Sequence, residues 1–270
     1  MLAENLSYYF NNDPAPQLMA DSRPVSILWA NNVRLKQIVF NIRYQVYCEQ
    51  LGYENTTNNP DQMEMDRFDG WSQHLLIRDD LTSNYVGTMR IVEPAKHEHL
   101  IPIEEHYHGD FISPVHDPAK YNAGRYVEIS RLAVNPSVVG KLSMRYASDV
   151  SKLLYLTAIA YFQKSVRLSE LFWLAEQRLA RRLSILGLPS QQIGNFIDYR
   201  GQRAPFIMKK ERLLLPRGPS RNSLKNPCNP SPVTIVKPLS LNFKSASKAI
   251  YQQILDHKLY LPGSPKQTCA

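Results

Sequence analysis

The stretch Tyr126–Val134 sets a carboxylate, a hydroxyl and a guanidinium (Glu128, Ser130 and Arg131) inside an otherwise apolar run with strand character. Alternate residues of a strand share a face. That period predicts Glu128, Ser130, Leu132 and Val134 on one face, with Ile129 and Arg131 on the other. A buried carboxylate or guanidinium is costly unless another charge meets it. The fold must therefore bring partners to this strand. Arg43, Asp66, Asp69 and Arg90 are the candidates upstream, and charges gathered from distant segments are the raw material of an active site.

The rest of the chain alternates in period. Leu35, Ile38, Val39, Ile42 and Val46 recur at helical spacing across 33–51, and Gly52 reads as the stop. Strands are expected over 72–78 and 85–92, joined by a polar turn. Residues 93–124 have no clean period, which marks a long functional loop. A helix is expected over 142–162, a buried strand over 171–175, a basic amphipathic helix over 176–186, and strands over 192–199 and 203–208. Helix, strand, strand, loop, strand, helix, strand, helix, strand, strand is an α/β order with a mixed sheet. Residues 1–30 read as a loosely ordered lead-in and 31–215 as one domain. Residues 216–270 read as a proline-rich tail with a candidate short terminal helix over 246–257.

Composition bounds the partners. An apolar fraction of 43% supports a real core, and no run is long enough to span a bilayer. The N-terminus lacks the basic start and apolar centre of a signal peptide. Cys48, Cys228 and Cys269 lie far apart with no metal-ligand spacing, which points to a reducing, cytoplasmic setting. His97, His99, His106, His108 and His116 crowd one loop but lack a helical ligand pair, so no metal is expected. The net charge of +8 comes without a zinc finger, an RNA-binding motif or a basic arm. Nucleic acid is not expected; an acidic protein partner is, and peripheral membrane contact stays open.

Four motifs in order carry a family resemblance. They are Arg43-Tyr-Gln-Val-Tyr47, Glu64-Met-Asp66-Arg-Phe-Asp69, Gly87-Thr-Met-Arg90 and Glu128-Ile-Ser130-Arg131. Together they resemble the GNAT-fold acyl-homoserine-lactone synthases and their relatives, the N-acyl amino acid synthases. The stretches 175–187 and 199–206 resemble the branch called PEP-CTERM/exosortase system-associated acyltransferases. Tyr53 stands where lactone synthases usually carry Trp, and 135–143 lacks the glycine-rich phosphate loop of acetyl-CoA enzymes.

The resemblance implies a GNAT fold and transfer of a fatty acyl group from a thioester to an amine. It implies no bound cofactor. The donor would be an acyl-phosphopantetheine thioester on an acidic acyl carrier protein, or acyl-CoA, and the acceptor a small amine such as an amino acid. Glu128 is then the candidate base, with Ser130 orienting the nucleophile or returning a proton. Arg43, Asp66, Asp69, Arg90 and Arg131 form the surrounding ionic network. Tyr47, Tyr53 and Phe68 would line the substrate site, and Arg178, Arg181 and Arg182 would dock the carrier. A lactone synthase using S-adenosylmethionine and a non-catalytic binding module are the alternatives.

Overall fold

The computed structural model describes residues 23–139, 143–185, 190–213 and 234–236. Its centre is a nine-stranded mixed sheet in the order β6-β8-β5-β4-β3-β2-β1-β9, with β7 beside β8. The strands are β1 (Val25–Trp29), β2 (Ser72–Asp79), β3 (Tyr85–Val92), β4 (Tyr126–Val134), β5 (Glu170–Ala175), β6 (Gln191–Gln192), β7 (Ile197–Asp198), β8 (Gln202–Lys209) and β9 (Thr234–Val236). The helices are α1 (Val33–Tyr44), α2 (Pro102–His106), α3 (Pro136–Val139), α4 (Met144–Lys164) and α5 (Gln177–Ile185). Among the described residues, only β4 and β5 pair in parallel; every other strand pairing is antiparallel.

Alternation along the strands explains the layers. Leu75, Ile77, Met89, Ile91, Val127 and Ile129 point to one face and pack on Leu153, Leu154 and Ile159 of α4. The other face carries two separate clusters. Leu76 packs with Val39, Ile42 and Val46 of the α1 segment. Tyr126 and Phe172 pack with Phe68, Ile101 and Ile103. Gly87 sets the closeness of α4 to the sheet: a Cβ there would lie 2.7 Å from Val150 Cγ1. The glycine of the Gly-x-x-Arg motif is thus a packing requirement.

Several expected boundaries move. Val25–Trp29, inside the expected lead-in, is a full strand in register with β2. Thr234–Val236, inside the expected tail, pairs with its outer edge. The expected strand over 192–199 breaks into β6 and β7 around Ile193–Phe196. The first helix turns into a π-helical segment at Gln45–Gln50 before Gly52, whose φ of 62° ends it. The expected helix over 246–257 lies outside the described residues. No helix among the described residues is long and apolar enough to cross a membrane.

Candidate active site

The pivot of the site is a bulge in β4. Arg90 faces Ser130, yet Thr88 faces Ala133, so Met89 opposes both Arg131 and Leu132. Arg131 takes up the extra residue with φ of 49°, in the left-handed region. The bulge reverses the alternation. Leu132 and Val134 now join Ile129 against the α4 core, while Arg131 turns to the face of Glu128 and Ser130. The expected placement of Arg131 opposite Ser130, and of Leu132 and Val134 beside it, is therefore corrected. A one-residue insertion flips every side chain beyond it.

Arg131 thereby enters an ionic cluster. Its Nη2 lies 2.8 Å from Glu54 and 3.3 Å from Asp66, and its Nε lies 3.1 Å from Glu64. Arg43, wholly buried on α1, donates to Glu64 at 2.5 Å and to Asp69 at 2.7 Å. Arg90, on β3, donates to Asp66 at 2.5 Å, to Asp69 at 3.0 Å and through Nε to Ser130 Oγ at 3.0 Å. The two aspartates also fold their own turn. Asp66 accepts from Phe68 N–H, and Asp69 accepts from Asp66 N–H, capping the 3₁₀ turn Arg67–Trp71.

Burial alone would raise the carboxyls of Asp69 and Glu64. Arg43 outweighs it in both, with Arg90 at Asp69 and Arg131 at Glu64, and holds them below the usual carboxylate range. His74, 3.7 Å from Asp69, is driven by burial down to about 3 and is neutral.

All the expected network residues thus meet, with two further carboxylates, Glu54 and Glu64. Glu64 lies inside the acidic motif but outside the expected network. The usable signal was arithmetic: three buried arginines need more acid than Asp66 and Asp69 supply.

The π-helical segment places the next wall. Leu51 N–H reaches back to the Val46 carbonyl, five residues away, and π turns of this kind recur at functional sites. Tyr47 points at β4, donates to the Leu132 carbonyl at 2.6 Å and lies under Arg131. The chain beyond Gly52 folds back so that the N–H groups of Tyr53 and Glu54 both reach the Tyr47 carbonyl. Burial raises the Cys48 thiol to about 11, so at neutral pH it is not a nucleophile.

β4 and β5 pair only at Tyr126–Glu128 with Glu170–Phe172. Beyond that point they part. A cavity of about 150 Å³ opens between them, walled by Tyr47, Tyr53, Ser130, Tyr155, Trp173 and Arg203 among others. Arg178 of α5 also lines it. Arg181 is exposed on the same helix, and the Arg182 side chain lies outside the described residues.

Two expected residues do not line this wedge. Phe68 is buried in the core, its ring lying against the Arg90 guanidinium and edge-on to His106. Glu128 is 1% exposed and accepts from Ile103 N–H at 2.9 Å. It stands one step behind Ser130 on the same face. Burial raises its carboxyl to about 8.

The histidine-rich loop scatters its rings. His99 stacks on Trp71, and His116 is buried beside Gln191. His106 stacks on Tyr199 with centroids 5.1 Å apart, and burial lowers its pKa. Tyr199 sits at the tight β7–β8 turn, where Arg200 has φ of 54° and pairs with Glu54 at 2.5 Å. This turn latches the ionic cluster from the far side, and no periodicity announced it.

Residues 42–148 match the sequence profile of the acetyltransferase (GNAT) domain. The AHL synthase LasI superposes with a TM-score of 0.51 at 19% identity, over 70% of this chain and 91% of LasI. The fold is the GNAT fold. The splayed β4–β5 pair and the bulge of β4 lie at the centre of this fold. Two further structures align less closely. The CoA-dependent acyl-homoserine lactone synthase MesI gives a TM-score of 0.48 at 21% identity, over 69% of this chain and 92% of its own. FeeM, an N-acyl amino acid synthase from uncultured soil microbes, gives 0.48 at 17%, over 70% and 92%. No curated protein matches the chain in sequence.

Proposed function

We propose that the protein is an N-acyltransferase that moves a fatty acyl group from a thioester to the amine of an amino acid or similar acceptor. The observation that carries this reading is the wedge between β4 and β5, with Ser130 on its wall and Glu128 behind it. A thioester arm lying between the parted strands meets backbone groups that no neighbouring strand engages. A backbone N–H there stabilises the oxyanion.

The acceptor nitrogen attacks the thioester carbonyl. Its proton passes to Glu128 through a water or the Ser130 hydroxyl, the C–S bond breaks, and the thiolate takes a proton. A carboxyl near 8 is a far stronger base than an exposed one and is matched to an amine near neutral pH. Such base catalysis contributes about 10²–10⁴ in rate. Arg43, Asp66, Asp69, Arg90 and Arg131 hold this machinery, while Tyr47 and Tyr53 line the donor side.

The donor in this reading is an acyl group on the phosphopantetheine arm of an acidic carrier protein, docked at Arg178, Arg181 and Arg182, and the site of action is the cytoplasm. The motifs at 175–187 and 199–206 support placement in the PEP-CTERM/exosortase-associated branch.

Incubation with acyl-carrier thioesters and a panel of amines, read by mass spectrometry, tests the assignment. An acylated amino acid is expected. A lactone formed only with S-adenosylmethionine would replace this reading, and no turnover by folded protein would overturn it.

A further inference from the structure

Among the described residues, part of the guanidinium charge in the wedge has no counter-charge paired with it. Three arginines line the wedge: Arg131, Arg178 and Arg203. Arg131 is matched by Glu54, Glu64 and Asp66. Among the described residues, neither Arg178 nor Arg203 has an ion-pair partner, and Glu176 is the one carboxylate on the cavity wall. Arg203 is the more telling. Its Nε is buried with no hydrogen-bond acceptor among the described residues, and its guanidinium lies 5.9 Å from the Tyr53 ring centroid. A buried, charged N–H left without an acceptor costs more than a neutral one, so natural structures rarely keep one for nothing.

Position gives the charge a meaning. Ala175 faces Ala204, so Arg203 stands at the C-terminal end of β5, and Arg178 follows in the first turn of α5. Both sit where β4 and β5 have already parted, toward the mouth of the wedge and away from the β4–β5 pairing. A ligand threaded between the strands past Ser130 carries its outer end to these two side chains.

We propose that Arg178 and Arg203 form an anion subsite at the mouth of the wedge that takes the phosphate of the donor's pantetheine arm. The proposal rests on the thioester-donor reading above. The planar Arg203 fork, backed by Tyr53, presents donors suited to phosphate oxygens. Arg178, exposed at the rim, closes the other side.

Calorimetric titration of the full chain with 4′-phosphopantetheine and with pantetheine tests this directly. The phosphorylated compound is expected to bind at least tenfold more tightly. Arg203→Gln, with its fold checked by circular dichroism, is expected to abolish most of that preference, and Arg178→Gln part of it. If Arg203→Gln does not fold, the preference measured for Arg178→Gln, at the exposed rim, decides the matter alone. Equal binding of the two compounds to the wild-type protein overturns the subsite and leaves the donor reading intact. Retained preference in the folded Arg203→Gln and Arg178→Gln variants overturns it too. If neither compound binds, the subsite is wrong, and turnover of acyl-carrier thioester alone then decides the donor.

Discussion

Arg43 of α1 and Arg131 of β4 meet on one buried carboxylate, Glu64, each through its Nε. That shared acceptor ties the first helix to the bulge of the central strand. Removing one member of a buried ionic set strands the others, at about 3–5 kcal/mol. Glu64→Gln is therefore expected to destabilise the fold by that order, and Glu54→Gln, more exposed at the rim, by less. Urea denaturation of both variants checks the ranking. Equal, small losses would show that Glu64 does not organise the cluster.

The bulge itself can be tested apart from the charges it carries. Arg131→Gly and Arg131→Ala lose the same ion pairs, but only glycine adopts a φ of 49° without strain. The glycine variant should be more stable by about 1 kcal/mol. In a regular strand the order reverses, since alanine is then the better residue.

Glu128 should couple stability to pH. Its carboxyl rises on folding from the ordinary range to about 8, because burial penalises the charged form. The folded state then binds the proton more tightly. Its stability is full below the ordinary carboxyl pKa and falls as pH rises, until both states are ionised above about 8. Across that window Glu128→Gln gains on the wild type by about 1.4 kcal/mol per pH unit. Denaturation series at pH 4, 6 and 8 read the gap. A gap that stays constant would refute the shift.

The same group should shape the rate. If Glu128 takes the acceptor's proton, kcat/KM rises with pH toward 8 and levels off. Glu128→Gln should lose that limb together with about 10²–10⁴ of the rate. A folded variant with wild-type turnover would remove Glu128 from the chemistry.

Cys48 offers a control. Its thiol, raised by burial to about 11, should alkylate slowly in the native protein, and peptide mapping should find its label only after unfolding. Cys48→Ala should keep turnover, because the proposed reaction has no acyl-enzyme step.

Much of this was legible in the sequence. The three central strands announced themselves by period, and Tyr85–Val92 and Tyr126–Val134 have the predicted ends. Cost arguments about buried charge assembled Arg43, Asp66, Asp69 and Arg90 around the right strand. The bulge was not legible, because nothing in a run of residues says that one of them will stand unpaired. Hence the face of Arg131 was reversed. The latch of Arg200 on Glu54 was hidden for another reason. It depends on a three-residue turn, Tyr199 to Gly201, bringing remote segments together, and single charges in loops carry no period. β1 escaped notice because five residues beside a proline-containing lead-in give too short a pattern.

The outermost strand has a consequence for how this molecule meets its neighbours. Thr234–Val236 pairs with Val25–Ile27 on the outer side of β1. A sheet margin is where foreign chains attach by extending the ladder, and such growth builds fibrils. Here that berth is held by the chain's own later segment. The margin on this side is therefore the three residues of β9 and not the five of β1, and so short a margin offers a foreign chain few groups to pair with.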